Sequence, residues 1–164
     1  TVLRDSPLNT PDADAFAGTM VPGAAAADAP VARAGGSSGW LLRECHAERF
    51  TALVFGQGEA AERSLQALKE CDLPLHVVRV DDATPDGELA TRRYDARPGT
   101  VYLLRPDQHV CARWRAATAA DVLAAQARAL SRVPHGLHAA GVAPDADGDT
   151  AAPVAARPGV AAAA

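Results

Sequence analysis

A short glycine-rich turn carries the residues whose types and spacing best suit a chemical site. Residues 56–61 read Gly-Gln-Gly-Glu-Ala-Ala, a GxGxxA pattern placed between an apolar run and a helical pattern. In dinucleotide-binding sites, glycines at this spacing admit a pyrophosphate at a helix N-terminus, and an acid about 20 residues later binds the ribose. The acid that closes the next apolar run is Asp81, followed by Asp82. Gly56, Gly58 and Asp81 are therefore the candidate cofactor-binding residues.

Two features of the same turn favour a structural role for its glycines. Glu59 places a negative charge at the helix start, where a phosphate would bind. A tight turn from strand to helix also needs glycine without any ligand, and so short a motif is weak evidence alone. An independent nucleotide-binding α/β domain thus remains an alternative to a structural turn.

The cysteines suggest a second alternative, a thiol redox protein. Cys45, Cys71 and Cys111 are odd in number and far apart in sequence. They form neither a CxxC pair nor a set that suggests a disulfide framework. We expect buried or idle thiols.

No metal site or hydrolytic site is predicted. Residues 145–150 imitate the start of a calcium loop, but Thr150 replaces the glycine and Ala156 replaces the final glutamate. His135 and His138 lack a third ligand nearby. No serine lies in a GxSxG context. We expect no catalytic residue and no bound metal in this chain.

Composition and charge narrow the possible partners. The net charge is -4, and arginines alternate with acids along the chain, so no basic stripe for nucleic acid is present. No run approaches the roughly 18 apolar residues of a membrane span, and no signal-peptide pattern opens the chain. We therefore expect a cytoplasmic protein that binds neither nucleic acid nor membrane. Because the chain begins at Thr1, we expect a fragment or a processed product.

A hairpin over residues 100–114 is predicted as the centre of the fold. Residues 100–104 form an unbroken β-branched and apolar run, typical of a central strand covered on both faces. Residues 110–114 alternate, which predicts a strand nearer the edge with one buried face. Pro106 and Asp107 suit the turn between them.

The other elements surround this hairpin. Strands at 50–56 and 75–80 with a helix at 60–71 predict a parallel βαβ unit. Thr84-Pro85 and Thr118 with Asp121 mark the starts of two further helices. A short helix at 40–47 is expected to turn Trp40, Leu41, Leu42 and Cys45 towards the sheet. This order matches an α/β, thioredoxin-like fold, with a mixed sheet and flanking helices.

Both ends of the chain are poor in large apolar residues. Residues 1–39, rich in Pro and Gly, are predicted as an extended arm in which Phe16, Met20 and Val21 could pin the arm to a neighbouring surface, and disorder is the alternative. Residues 40–136 are predicted as the domain. Residues 137–164, rich in Ala and Pro, are predicted as a disordered tail.

Two segments carry a family resemblance. Residues 4–31, RDSPLNTPDADAFAGTMVPGAAAADAPV, and residues 94–115, YDARPGTVYLLRPDQHVCARWR, resemble the C-terminal region of FAD-dependent aromatic-ring monooxygenases of the phenol hydroxylase class. The 3-(3-hydroxyphenyl)propionate hydroxylase-like enzymes are the most similar group, and the similarity covers about residues 4–130. In that family this region is a thioredoxin-like domain, without thioredoxin chemistry, that follows the flavin and substrate domains.

The resemblance implies a parent enzyme that hydroxylates a phenolic ring with FAD, NAD(P)H and oxygen. The family's flavin-binding motifs would lie upstream of Thr1, so the resemblance implies neither a catalytic residue nor a cofactor in this chain. Where thioredoxin would place CxxC, this chain reads Gly56-Gln57-Gly58-Glu59. The implied role is a non-catalytic accessory domain for docking or dimerisation, with the upstream flavin-binding domain as its partner and a possible homodimer.

Overall fold

The computed structural model describes residues 2–33, 36–72 and 74–131. Its elements in chain order are β1 (Pro30–Ala32), β2 (Ser38–Trp40), α1 (Leu41–Glu44), β3 (Phe50–Phe55), α2 (Gly58–Lys69), β4 (Leu75–Val80), α3 (Pro85–Arg93), β5 (Val101–Leu104), β6 (Val110–Trp114) and α4 (Ala119–Ala129). The predicted tail at 137–164, the acidic segment at 145–150, His135 and His138 lie outside the described residues. Within those ranges, none of the helices is long and apolar enough to cross a bilayer.

The main sheet is mixed, with the strand order β4-β3-β5-β6. β3 and β4 run parallel around α2, as the βαβ pattern predicts. β5 is antiparallel to both β3 and β6. β1 and β2 form a separate two-stranded ladder. The predicted mixed α/β fold is therefore confirmed, while its narrower description as thioredoxin-like stays an interpretation.

The two central strands are buried because side chains pack on both of their faces. Every residue of β3 and of β5 is buried. On one face, Val54 and Leu103 pack with Leu68 of α2 and Val122 of α4. On the other face lies a second cluster, which contains Leu53, Phe55, Tyr94, Tyr102, Leu104 and Val110. The apolar run at 100–104 has the central position that its composition predicts.

The local signals for turns and helix starts are confirmed. In the β5-β6 turn, Oδ1 of Asp107 accepts a hydrogen bond from the backbone N–H of His109 at 3.2 Å. Thr84 caps α3 by accepting from the N–H of Gly87 at 3.1 Å. Thr118 and Asp121 form a reciprocal capping box on α4. Each of these contacts satisfies backbone groups that the turn or helix end would otherwise leave unpaired.

Two expectations about burial were wrong. β6 was predicted to have one exposed face, but all five of its residues are buried and Arg113 is only 4% exposed. The predicted arm covers that face, where Asp12 and Met20 bind Arg113. Trp40 was expected to pack on the sheet, but it ends β2, is 49% exposed, and leaves Leu41 as the buried residue of α1.

The arm segment lies along the outer edge of β6. The N–H of Thr10 donates to the carbonyl of Cys111 at 2.8 Å, and the N–H of Gly23 donates to that of Val110 at 2.7 Å. Val110 in turn donates to the carbonyl of Ala24 at 2.9 Å. The arm thus satisfies backbone groups that an edge strand exposes. The boundary between arm and domain at residue 39, across which β2 runs, stays a prediction.

Candidate functional site

The glycine turn adopts a conformation that its packing requires. Gly56 has φ +83°, and a Cβ placed there would lie 2.6 Å from Cα of Pro98. A side chain at this position would therefore collide with the backbone of the loop before β5. The need for glycine at position 56 is explained by this close approach, without a ligand.

The turn and Asp81 do come together, as the sequence pattern predicts. Oδ1 of Asp81 accepts from Nε2 of Gln57 at 2.8 Å and from the N–H of Ala83 at 2.9 Å. Gly58, with φ +76°, begins α2, and no neighbouring atom lies within 4 Å of the place where its Cβ would be. The acid at the end of β4 is thus engaged in joining the two loops at this end of the parallel pair.

The first turn of α2 carries a negative charge. Oε1 of Glu59 lies 3.1 Å from Nη1 of Arg63 in an exposed ion pair. The positive end of the helix dipole stabilises a carboxylate at this position. The carboxylate therefore competes with a phosphate for the helix N-terminus. Whether Gly56, Gly58 and Asp81 bind a nucleotide remains a prediction for experiment.

The three thiols lie in surroundings that disfavour the reactive thiolate. Burial, followed by the charges of Asp28 and Glu44, raises the pKa of Cys45 to about 11. Burial also raises the pKa of Cys71 and raises that of Cys111 to about 12. Thiol-disulfide exchange requires a thiolate, so these environments do not support a thiol redox protein. In the described ranges, no group of three acidic, histidine or cysteine side chains is arranged to hold a metal ion.

A polar and aromatic cluster, the arm cluster, lies between the arm and the sheet and is formed by Asp12, Phe16, Tyr94, Asp95, Tyr102, Arg113 and Arg115. Arg113 of β6, with a side chain 3% exposed, makes two hydrogen bonds to the carboxylate of Asp12, at 2.7 and 2.9 Å. Its Nη1 also donates to the carbonyl of Met20 at 3.1 Å. A buried guanidinium requires such partners, since an unpaired charge there would be very costly.

Phe16 of the arm packs against two guanidinium groups. Its ring centroid lies 4.4 Å from Cζ of Arg113 and 3.8 Å from Cζ of Arg115. Arg115 is itself fixed by the carboxylate of Asp95 at 2.6 Å. The N–H of Ala17 and then Arg115 lower the pKa of Asp95, so the carboxylate stays charged. These contacts attach the middle of the arm to the sheet and to the loop after α3.

Two tyrosines complete the cluster beneath Phe16. Oη of Tyr102 donates to the carbonyl of Tyr94 at 2.5 Å, and Oη of Tyr94 donates to that of Ala27 at 2.7 Å. Their rings meet edge to face with centroids 4.9 Å apart. Burial raises the pKa of both hydroxyls, which therefore remain neutral donors. These contacts hold the arm against the sheet.

Sequence reasoning missed this cluster because its partners are distant in the chain. Arg113 and Asp12 are 101 positions apart, and no local period relates them. The available signal was an arginine, Arg113, in the middle of a predicted strand. Such an arginine requires an acid from elsewhere when the strand is buried.

Comparison with known proteins identifies the fold. No protein-family model matches the chain, and no curated protein matches it. A solved structure of the flavin-dependent monooxygenase PieE, in complex with FAD and substrate, matches with a TM-score of 0.59 and 21% identity, covering 79% of this chain and 25% of that chain. Aklavinone-11 hydroxylase, solved with FAD and aklavinone, matches with a TM-score of 0.58 and 22% identity, covering 77% and 26%. The fold is that of one part of each enzyme. The chain spans about a quarter of their length.

Proposed function

We propose that the chain is a non-catalytic C-terminal accessory domain of an FAD- and NAD(P)H-dependent aromatic-ring hydroxylase of the phenol hydroxylase class. The observation that carries the proposal is the fold shared with a quarter of PieE and of aklavinone-11 hydroxylase, over more than three quarters of this chain. The family resemblance of residues 4–31 and 94–115 supports the same assignment. The hydroxylation would then belong to the rest of the parent enzyme.

The polar groups of the described structure support a structural role. Arg113 pairs with Asp12 and Arg115 pairs with Asp95. Both arginines also donate to backbone carbonyls of the arm. The thiol pKa values are raised, which disfavours nucleophilic chemistry at any of the cysteines. A general base or nucleophile normally lies in a cleft with its reactive atom accessible to a substrate. The arm cluster instead uses its polar atoms to hold two parts of the chain together.

The cofactors are assigned to the parent. FAD reduced by NAD(P)H would supply the oxygen-activating chemistry of ring hydroxylation when bound there. In this chain, the GxGxxA turn fits a dinucleotide poorly, because Gly56 abuts Pro98 and Glu59 occupies the start of α2 with its negative charge. We therefore place flavin binding upstream of Thr1.

The partner that we propose is the upstream flavin-binding domain of the same cytoplasmic enzyme. Val2 and Leu3, at the start of the arm, are large apolar residues that are 43% and 42% exposed. They stand where the chain would join that domain, and burial of their side chains would favour docking. The arm would thus connect to the flavin-binding domain while it covers the β6 edge of the domain described above.

The coding sequence immediately upstream of Thr1 tests the assignment. The proposal requires a βαβ unit there with the glycine-rich flavin-binding motif, in the same reading frame. A start codon directly before the codon for Thr1 would overturn the proposal. An unrelated domain encoded upstream would overturn it as well.

A further inference from the structure

The two edges of the main sheet differ in their backbone hydrogen-bond partners. The outer edge of β6 is covered by the arm through backbone hydrogen bonds of Thr10, Gly23 and Ala24. The outer edge of β4 has no backbone partner among the described residues. An uncovered edge strand presents a row of donors and acceptors that can pair with another strand.

The orientation of β4 shows which groups point outward. The carbonyl of Val80 accepts from the N–H of Gly56 at 2.9 Å, so the backbone of Val80 points towards β3. The direction of the backbone groups alternates along a strand. The N–H and carbonyl groups of Leu75, Val77 and Arg79 therefore point away from the sheet.

The sequence of β4 does little to protect this edge. The strand reads Leu-His-Val-Val-Arg-Val, without proline, lysine or an acidic residue, and it pairs with β3 without a bulge. Its one arginine, Arg79, is already paired with Glu62 of α2. Val77, at its middle, is 39% exposed. Monomeric proteins usually guard such edges with charges, prolines, bulges or covering segments.

We propose that β4 pairs with β4 of a second copy of this chain, antiparallel and about a two-fold axis at Val77. In this register Val77 lies opposite Val77 of the second copy, and Leu75 lies opposite Arg79. All three outward-pointing residues then form hydrogen-bonded pairs, with about six backbone hydrogen bonds in total. The two four-stranded sheets become one continuous sheet.

The side chains make this register self-complementary. Leu75 packs with the core cluster beneath α2, and Arg79 pairs with Glu62 of α2 at 2.8 Å, so the outward-pointing residues share one face of the sheet. A two-fold axis normal to the sheet keeps that face on the same side in both copies. Arg79 lies opposite a leucine instead of another arginine, so no like charges are opposed across the pair. A second copy therefore fits the edge, and this inference does not depend on the proposed function.

Charge substitutions at the two-fold position test the proposal. The full chain is examined by analytical ultracentrifugation over a range of concentrations, as wild type, Val77→Lys, Val77→Glu and an equimolar mixture of the two variants. We expect a concentration-dependent dimer for wild type. Each variant alone should dissociate about tenfold more readily because like charges meet at the axis. The mixture should restore the dimer, since opposite charges then meet.

A control and a second readout keep the test sharp. Leu130→Lys, at another exposed apolar position, should leave the dimer unchanged, and circular dichroism should show that each variant is folded. Hydrogen exchange at the Val77 amide should slow as the wild-type concentration rises. A wild type that stays monomeric, folded single variants that still dimerise like wild type, or a mixture that fails to pair would each overturn the proposal. So would preferential pairing of the edge with another protein in place of a second copy.

Discussion

Arg113 and Asp12 form a two-bond ion pair that joins the last strand of the sheet to the arm. The nitrogen to oxygen distances are 2.7 and 2.9 Å, and the two residues are 101 positions apart. Arg113 is nearly inaccessible, with 3% of its side chain exposed, while Asp12 is 30% exposed. The arm therefore supplies the counter-charge that allows an arginine to occupy a buried strand.

Replacing the acid of this pair should destabilise the chain. Asp12→Asn would remove the negative charge and leave the buried guanidinium of Arg113 with an incomplete set of partners. We expect the free energy of unfolding in urea to fall by about 2 to 3 kcal/mol, because hydrogen bonds to a buried charge are costly to lose.

The matched control is Glu59→Gln, which removes an exposed ion pair with Arg63 on α2. That change should cost less than about 1 kcal/mol. Equal effects of the two substitutions would show that the Asp12 pair gives the arm no special stability.

Truncation of the two tryptophans should destabilise the chain to very different extents. Trp114 is 7% exposed and belongs to the cluster between the sheet, α2 and α4, whereas Trp40 is 49% exposed. Trp114→Ala should lower the free energy of unfolding by about 3 to 5 kcal/mol, as large truncations in cores do. Trp40→Ala should lower it by less than about 1 kcal/mol. Denaturant titration of both variants, followed by far-ultraviolet circular dichroism, checks the difference, and a larger loss for Trp40→Ala would contradict this packing.

Asp95 should make the free energy of unfolding depend on pH in the acidic range. The N–H of Ala17 and then Arg115 lower its pKa in the folded state, so this carboxyl stabilises the fold above the ordinary aspartate pKa of about 3.9. That contribution is lost as the pH falls through the lowered pKa. The difference in unfolding free energy between wild type and Asp95→Asn should therefore be constant from about pH 7 to 5 and shrink below about pH 4. A difference that does not change with pH would contradict the assigned contacts.

The glycine turn should not bind a dinucleotide. Because Glu59 lies at the start of α2 and Gly56 packs against Pro98, isothermal calorimetry should detect no saturable binding of NADH or FAD to the isolated chain at micromolar concentration. Saturable binding that is abolished by Gly58→Val, in a variant that keeps its circular dichroism spectrum, would instead establish the nucleotide-binding alternative.

Sequence patterns specified the elements that local chemistry determines. The hairpin turn at Asp107, the caps at Thr84 and Thr118, and the parallel βαβ unit each depend on residues that are close in sequence, and each is present in the structure. The central position of the strand at 100–104 was predictable because an unbroken β-branched and apolar run is typical of a strand covered on both faces. These signals were sufficient for the mixed α/β fold.

The environment of β6 was not predictable in the same way. Alternation in residues 110–114 indicated one exposed face, but the arm covers that face through contacts about 100 positions away in the chain. The prolines and glycines of the arm exclude a long helix, yet they do not show which surface the arm will contact. The residues of the arm cluster could therefore be identified only from the three-dimensional structure.

The most direct test of the accessory role uses the parent enzyme with the region after Arg4 removed. Its bound FAD, its oligomer mass and its hydroxylation rate per bound flavin would be measured beside those of the intact parent. The proposed role predicts unchanged FAD content and a retained hydroxylation rate in whatever remains assembled, together with weaker domain docking or dimerisation. Normal assembly and stability with a selective loss of hydroxylation would contradict it, because this segment would then contribute to catalysis itself.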